Sequence, residues 1–514
     1  IHSLADLLVF RYHSQAAGTL ATLFMLLALL PLLALQLQAI ADTIHILTLD
    51  STRPSLPLAD AGFTFKEIMA LFYCAMLAVF TIWFGSSREQ HRGLITAMAA
   101  ESLIKLCAFA AIGLLAVYGV FNGFDGLDQW LAQNPDQLNQ LYQSSGQNNS
   151  HTLLLVFIAT AVAMPHIFHM SVVENPMVNA TYTVSWAFPL FLLIMALPLF
   201  PILWAGTALN VALPTQYFSL GIPMALESPS LSILAFIGGL SAATGALVAI
   251  TLALSTMLLN HFLLPFAGLR LKGDLYRQLI WSRRLLITLI FAAGYCFFLF
   301  LGNRHSLTDL ALMAFIETLQ FIPGILAVAY WPQANRRGLL SGLCVGTGIW
   351  YMGLLMPAMT NTTELQIPLT SLVIGIGSEH WNIITLVSLG LNTSTFILVS
   401  MVSQQTDEER YSADLCGEDE LSQPVRLALD VHSATEFLER LERPLGKSSA
   451  KEELNRALRE LNLSPTERRP YALRRLRDQI EANLSGLMGI AIANEIVNHH
   501  LPYKLAEASG TADI

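Results

Sequence analysis

Charged residues are scarce in this chain. They make up 13% of its 514 residues, about half the ~25% usual in a soluble globular protein. Hydrophobic residues make up 54%, and the mean hydropathy is +0.54. That balance excludes a soluble domain as the bulk of the chain and implies a membrane protein. Cysteine is sparse as well. The five residues Cys74, Cys107, Cys296, Cys344 and Cys416 mostly lie within apolar runs and show no CxxC spacing. This argues against a disulfide framework or a zinc site and sets the expectation of small buried hydrophobes. No nucleophile–base pair or metal-ligand cluster stands out, so an enzyme is the least favoured class. No catalytic residue and no cofactor are expected apart from a coupling ion, and no nucleic-acid partner is indicated. The chain opens at Ile1 without an initiator methionine, and the expectation is a piece of a longer polypeptide.

What is present is a series of apolar windows near the ~20 residues needed to span a bilayer. Ten such windows lie near 17–40, 65–85, 93–121, 152–171, 180–207, 231–264, 280–302, 306–331, 337–358 and 379–403. From residue 404 the composition turns polar and charge-rich, so a polytopic domain (1–403) is followed by a soluble tail. Arg11, Arg88, Arg92, Arg270, Lys272, Arg277, Arg283, Arg284, Arg336 and Arg337 all fall on one side if every window crosses. The opposite loops at 122–151 and 359–378 carry no Lys or Arg, and only Arg53 and Arg304 clearly lie on that side, with Lys66 near a helix start. The positive-inside rule then puts the tail in the cytoplasm.

Polar residues inside spans are costly and are functional candidates by default. The sequence MPHIFHM (164–170) begins about 12 residues into its window, roughly 18 Å deep at helical rise. Pro165 should break the helix there, beside His166 and His169, as in the discontinuous helices that build transporter sites. The alternative is a proline kink with two helix-end histidines. Glu101 and Lys105, four apart, share a helix face near the midplane, either as a structural ion pair or as part of an ion pathway. In GGLSAATGA (238–246), Ser241 and Thr244 could offer hydroxyls to a cation, although small-residue packing would produce the same string. Glu317 and Gln320 are mid-span on one face, and Gln36 and Gln38 add amides to the first window.

The blocks HRGLITAMAAESLIKLCAF, MPHIFHMSVVEN, ALSTMLLNHFLLP and LALMAFIETLQFIPGILAVAYWPQANRRG resemble the sodium/solute symporter family. They are most similar to its branch fused to bacterial sensor histidine kinases, the CbrA and CrbS types. The resemblance implies an all-α polytopic membrane protein with the LeuT-type inverted-repeat fold, in which the ten windows are spans four to thirteen and the first three are missing. It implies that MPHIFHM contacts a small solute, such as histidine, another amino acid or acetate. It also implies that Glu101, Ser241 and Thr244 fall near a sodium site. Three departures stand out: the adjacent Ser-Thr pair of symporters is absent from GGLSAATGA, Lys105 could replace bound sodium or make coupling proton-based, and Glu317 takes the place of a small apolar residue. Substrate-contact candidates are therefore Pro165, His166, His169, Gln36, Glu317 and Gln320. Ion-site candidates are Glu101, Lys105, Ser241 and Thr244.

The tail follows helical apolar spacing in LERPLGKSSAKEELNRALREL and SGLMGIAIANEIVNHH, with a capping-box pattern at Ser464-Pro465 and Glu467. The reading is a linker at 404–424, a helical bundle at 425–504 and a tail at 505–514. The bundle resembles the STAC domain that joins such symporters to kinase cores, and a generic helical tail is the alternative. NHHLP (498–502) lacks the acidic residue of a phosphoacceptor box, and no glycine-rich ATP lid is present, so the chain contains no kinase. The resemblance implies a downstream kinase in the same polypeptide (where any ATP would bind), a response regulator as partner, homodimerisation through the kinase region and residence in the bacterial inner membrane. The competing reading is a stand-alone ion-coupled symporter with a regulatory tail.

Overall fold

The computed structural model describes residues 3–48, 64–85, 92–139, 149–173, 180–267, 275–302, 304–366, 373–417, 429, 431, 433–461, 463–465 and 469–502. Arg88, Arg270, Lys272, Glu467 and the 505–514 tail lie outside them. The helices in chain order are α1 (Leu4–Tyr12), α2 (Gln15–Thr48), α3 (Phe65–Gly85), α4 (Arg92–Leu114), α5 (Phe124–Gln133), α6 (Asn149–Ala163), α7 (Pro165–Phe168) and α8 (Ala180–Ala196). Next come α9 (Leu199–Ala208), α10 (Phe218–Ala225), α11 (Pro229–Leu258), α12 (Leu264–Ala267), α13 (Leu275–Leu301), α14 (Leu307–Leu319), α15 (Ile322–Tyr330), α16 (Arg336–Trp350) and α17 (Met356–Thr360). The remainder are α18 (Trp381–Val402), α19 (Asp407–Gly417), α20 (Ala434–Leu445), α21 (Lys447–Glu460), α22 (Pro470–Met488) and α23 (Ile490–His500). Strands β1 (Glu364–Gln366) and β2 (Val373–Gly375) form a small antiparallel hairpin, with Leu365 opposite Ile374.

Among the described residues, nine helices are long and apolar enough to cross a membrane, and the bent pair α6–α7 makes a tenth. The ten expected windows are all present. Their outer faces carry exposed Phe72, Trp83, Tyr182 and Leu193, as lipid-facing surfaces require. Cysteine placement differs from expectation. Cys74 is buried, but Cys107, Cys296 and Cys344 are exposed, because a lipid-facing surface is itself apolar and need not be covered by protein.

The core is built around α2, which packs against α3, α11, α13 and α14. Leu29, Leu33 and Leu37 of α2 are almost wholly buried and meet Leu247, Ile250 and Leu254 of α11 and Ile287 and Ile290 of α13. Gly294 lets α13 approach Leu33, since a methyl there would lie 3.0 Å from the leucine Cβ.

The tail side of the membrane domain is held by side chains outside the spans. Arg11 is fully buried, and its guanidinium donates to the carbonyls of Trp331 and Pro332 at 3.1 and 2.9 Å. Tyr12 donates to the Gly324 carbonyl at 3.1 Å. Gln405 donates to the Pro332 and Ala334 carbonyls at 2.7 and 2.8 Å, and Glu409 pairs with Arg336 at 3.4 Å. Within the 404–424 stretch, read from sequence as a linker, α19 forms and packs on α1 and α15. The tail helices α20–α23 share a core of Phe437, Leu441, Leu476, Ile480 and Val497. The start of α22 differs from the sequence reading. It lies at Pro470, with extended Arg469 as its cap (φ −67°, ψ 126°), and not at Ser464-Pro465. A proline lacks only an amide that the first helical turn leaves unbonded anyway, so Pro470 sets the boundary.

Candidate functional site

The break at MPHIFHM forms as the sequence demands. α6 ends at Ala163, Met164 is extended (φ −68°, ψ 122°), and α7 restarts at Pro165 with a bend of 43°. Helical bonding continues on either side, from the Met164 amide to Thr160 (3.1 Å) and from Phe168 to Met164 (3.0 Å). Pro165 has no amide to give the preceding turn. The segment packs against α11. His169 is buried, and the Nδ1 atom of His166 is buried without a hydrogen-bond partner. An orphaned polar atom at a mid-membrane break is the feature expected where a ligand supplies the missing bond.

The ion-site candidates come together where α4 packs on α11. Ser241 donates to the Glu101 carbonyl at 2.9 Å. The Glu101 carboxylate occupies the notch left by Gly245, where a methyl would stand 2.6 Å from one of its oxygens. Lys105 passes Gly238, whose absent side chain lets Ala108 approach. Thr244 donates to the Leu240 carbonyl at 2.6 Å and shares a short hydroxyl–hydroxyl bond with Tyr73 of α3. Both hydroxyl hydrogens can thus point at protein acceptors, leaving oxygen lone pairs next to a carboxylate. That donor set suits a hard monovalent cation. Tyr73 was not anticipated, because an aromatic in an apolar window reads as packing.

Gln36 is half-buried on α2, and Gln38 is buried, donating to the His305 carbonyl at 3.4 Å. Glu317 and Gln320 lie on a different face from the one that meets the break. Thr318 faces it, with its hydroxyl 3.9 Å from the Met164 sulfur. Glu317 instead bonds Thr347 of α16 at 2.6 Å, and Gln320 bonds Ser388 and Asn392 of α18, each at 3.0 Å. The substrate-contact candidates are therefore divided, with His166 and His169 at the break and Glu317 and Gln320 in a separate polar cluster against α16 and α18.

On the side opposite the tail, a cavity lined by Ile40, Thr43, Tyr217, Leu220, Phe236 and Gly239 opens between α2, α10 and α11. The Tyr217 hydroxyl of its lining donates to Asp42 at 2.5 Å, and Asp42 is ion-paired with Lys66. Burial, the bond to Asp42 and its charge all push the Tyr217 phenol above its usual range. These partners come from three separate segments, so no local pattern announces them.

No family model matches the sequence, and no curated protein matches it. A solved structure does. It is described as the substrate-bound outward-open state of a Na+-coupled sialic acid symporter that reveals a novel Na+ site. The match covers 77% of each chain at a TM-score of 0.50 and 12% identity. At that identity the likeness speaks for the fold. The chain is an all-α, multi-pass membrane protein with the LeuT-type transporter architecture.

Proposed function

We propose that this chain is the membrane module of a bacterial sensor that binds, and carries with a coupling ion, a small nutrient such as histidine, another amino acid or acetate. In this reading it lies in the inner membrane with its tail in the cytoplasm. It reports occupancy through the STAC-like bundle to a kinase core in the same polypeptide, and thence to a response regulator. The carrying observation is the break at Met164–Pro165, with the His166 nitrogen left without a partner. The tail supports the sensing part. Gly489, between α22 and α23, is pressed against Asn260 in the π-turn that ends α11. The helix carrying Ser241 and Thr244 thus touches the tail directly.

The test is equilibrium binding to the purified protein in lipid nanodiscs, using radiolabelled L-histidine, acetate and a panel of other amino acids. Saturable binding that His166→Ala weakens is the expected result. Binding by none of them, or binding untouched by substitutions at the break, overturns the reading. A stand-alone ion-coupled symporter with a regulatory tail is the second reading. It is favoured if solute binding leaves hydrogen exchange in α20–α23 unchanged.

A further inference from the structure

Glu317 is the eleventh residue of a 24-residue span, roughly 15 Å deep at helical rise. It is fully buried, and one carboxyl oxygen has no hydrogen-bond partner. The other accepts from the Thr347 hydroxyl at 2.6 Å. The helix is interrupted just beyond it. The amides of Gln320 and Phe321 fall back to the i−3 carbonyls of Glu317 and Thr318, and α15 restarts beside Pro323. The Gln320 carbonyl is taken up by Asn392 at 2.8 Å. This is a second irregular mid-membrane segment with its own buried polar cluster.

The charges around Glu317 are remote. On its own helix, Asp309 is eight residues away, about 12 Å, and is engaged in the Ser306 capping box. On α16, Arg336 and Arg337 are ten or more residues from Thr347, about 15 Å, while Cys344 and Tyr351 point outward. α18 carries no titratable side chain. α2 brings only Asp42 and His45, near its end, and α6 only His151 at its start. His166 and His169 lie across Thr318, at the break. An ionised carboxylate buried without a cation costs several kcal/mol, so the site calls for a positive charge. A methyl on Gly346 would stand 2.4 Å from the Gln320 oxygen and 2.9 Å from Asn392. The Glu317 carboxyl has one bonded partner, the Thr347 hydroxyl, and among the described residues no group of three His, Cys, Asp or Glu side chains comes together to hold a metal ion. A proton needs only that one partner.

We propose that Glu317 is a proton-binding coupling site, separate from the Glu101–Ser241–Thr244 centre. One proton is taken up on the carboxyl with Thr347 as partner, and it is released when the interrupted helix opens to the other side. Thr318, adjacent in sequence, transmits the change to Met164 at the solute break. This rests on the carrier reading above.

Two measurements separate the claims. Infrared spectra of wild type and Glu317→Gln, in light and heavy water, test the proton without any solute. A protonated-carboxyl band present in wild type and lost in the variant is expected, and its absence from wild type overturns the proposal. In proteoliposomes, the panel solute taken up by wild type should accumulate under an imposed pH gradient. Glu317→Gln should lose that accumulation yet retain solute exchange at equilibrium, which also shows that it is folded. Accumulation with wild-type gradient dependence in the variant, or accumulation in wild type driven by sodium alone, sinks the idea. Should Glu317→Gln not fold, Thr347→Val keeps the acid and must shift the infrared band. An unshifted band is a negative result. Failure of wild type to take up any panel solute removes the carrier reading, while the infrared comparison still decides the proton.

Discussion

Ser241 donates its hydroxyl to the backbone carbonyl of Glu101 across 2.9 Å, which fixes the small-residue face of α11 to α4 at the level of the Glu101 acid. Lys105 lies one turn further along α4, so an ammonium and a candidate cation site share one helix face. If the ammonium supplies the charge that a bound ion supplies elsewhere, solute binding should be indifferent to replacing sodium with choline. Lys105→Met should then abolish binding or create a sodium requirement. Affinity measured in the two salts checks this. Strong sodium dependence in wild type rules out the tethered-cation idea.

Substitutions at the break test the solute site directly. His166→Ala and His169→Ala should each weaken binding by about 1–3 kcal/mol, the cost of a lost buried hydrogen bond. For His166→Ala the effect should appear in affinity and not in thermal stability, because its Nδ1 has no protein partner to lose. Unchanged affinity in both variants returns the segment to a simple kink.

The break and its depth were legible because proline chemistry is local and a bilayer has a fixed thickness. The same holds for the ten spans and the small-residue face. Pairings across the chain were not. Glu317 and Gln320 share a face, as their spacing requires, but periodicity does not say which neighbour that face meets. Only packing shows Thr318 turned to Met164, with its neighbour turned to α16. Arg11 read as a loop charge marking the positive side. It is buried, with one guanidinium nitrogen turned to three carbonyls from residues 331–334, over three hundred positions away.

The bond from Tyr217 to Asp42 predicts an alkaline sensitivity. The phenol's folded pKa is raised, by burial first and then by the bond to Asp42 and its charge. Its contribution to stability is therefore complete below the unfolded value near pH 10 and is lost as pH rises further. Tyr217→Phe should be less stable at neutral pH, with Asp42 still paired to Lys66, and should show a weaker loss of stability above about pH 10. Thermal unfolding across that range measures both. A variant with the wild-type alkaline profile would falsify the assignment.

The tail contact is tested by two glycines with the same backbone. Gly489 (φ 83°, ψ 157°) and Gly446 (φ 82°, ψ 154°) both adopt a conformation that is nearly glycine-only. Alanine at either should cost about 1–3 kcal/mol in the stability of the tail bundle. The two sites differ in their surroundings. Gly446 joins α20 to α21 within the tail, whereas a methyl at Gly489 would stand 3.2 Å from the Asn260 Cβ, tight enough to push on the end of α11. Asn260 lies sixteen residues from Thr244, about 24 Å along that helix. If α11 links the ion-site hydroxyls to the tail, Gly489→Ala should raise hydrogen exchange at residues 255–263 and change solute affinity. Gly446→Ala should leave both as they are, despite equal strain. Equal effects from the two substitutions on the membrane domain, or none from either, would leave the tail without a mechanical route to the solute site.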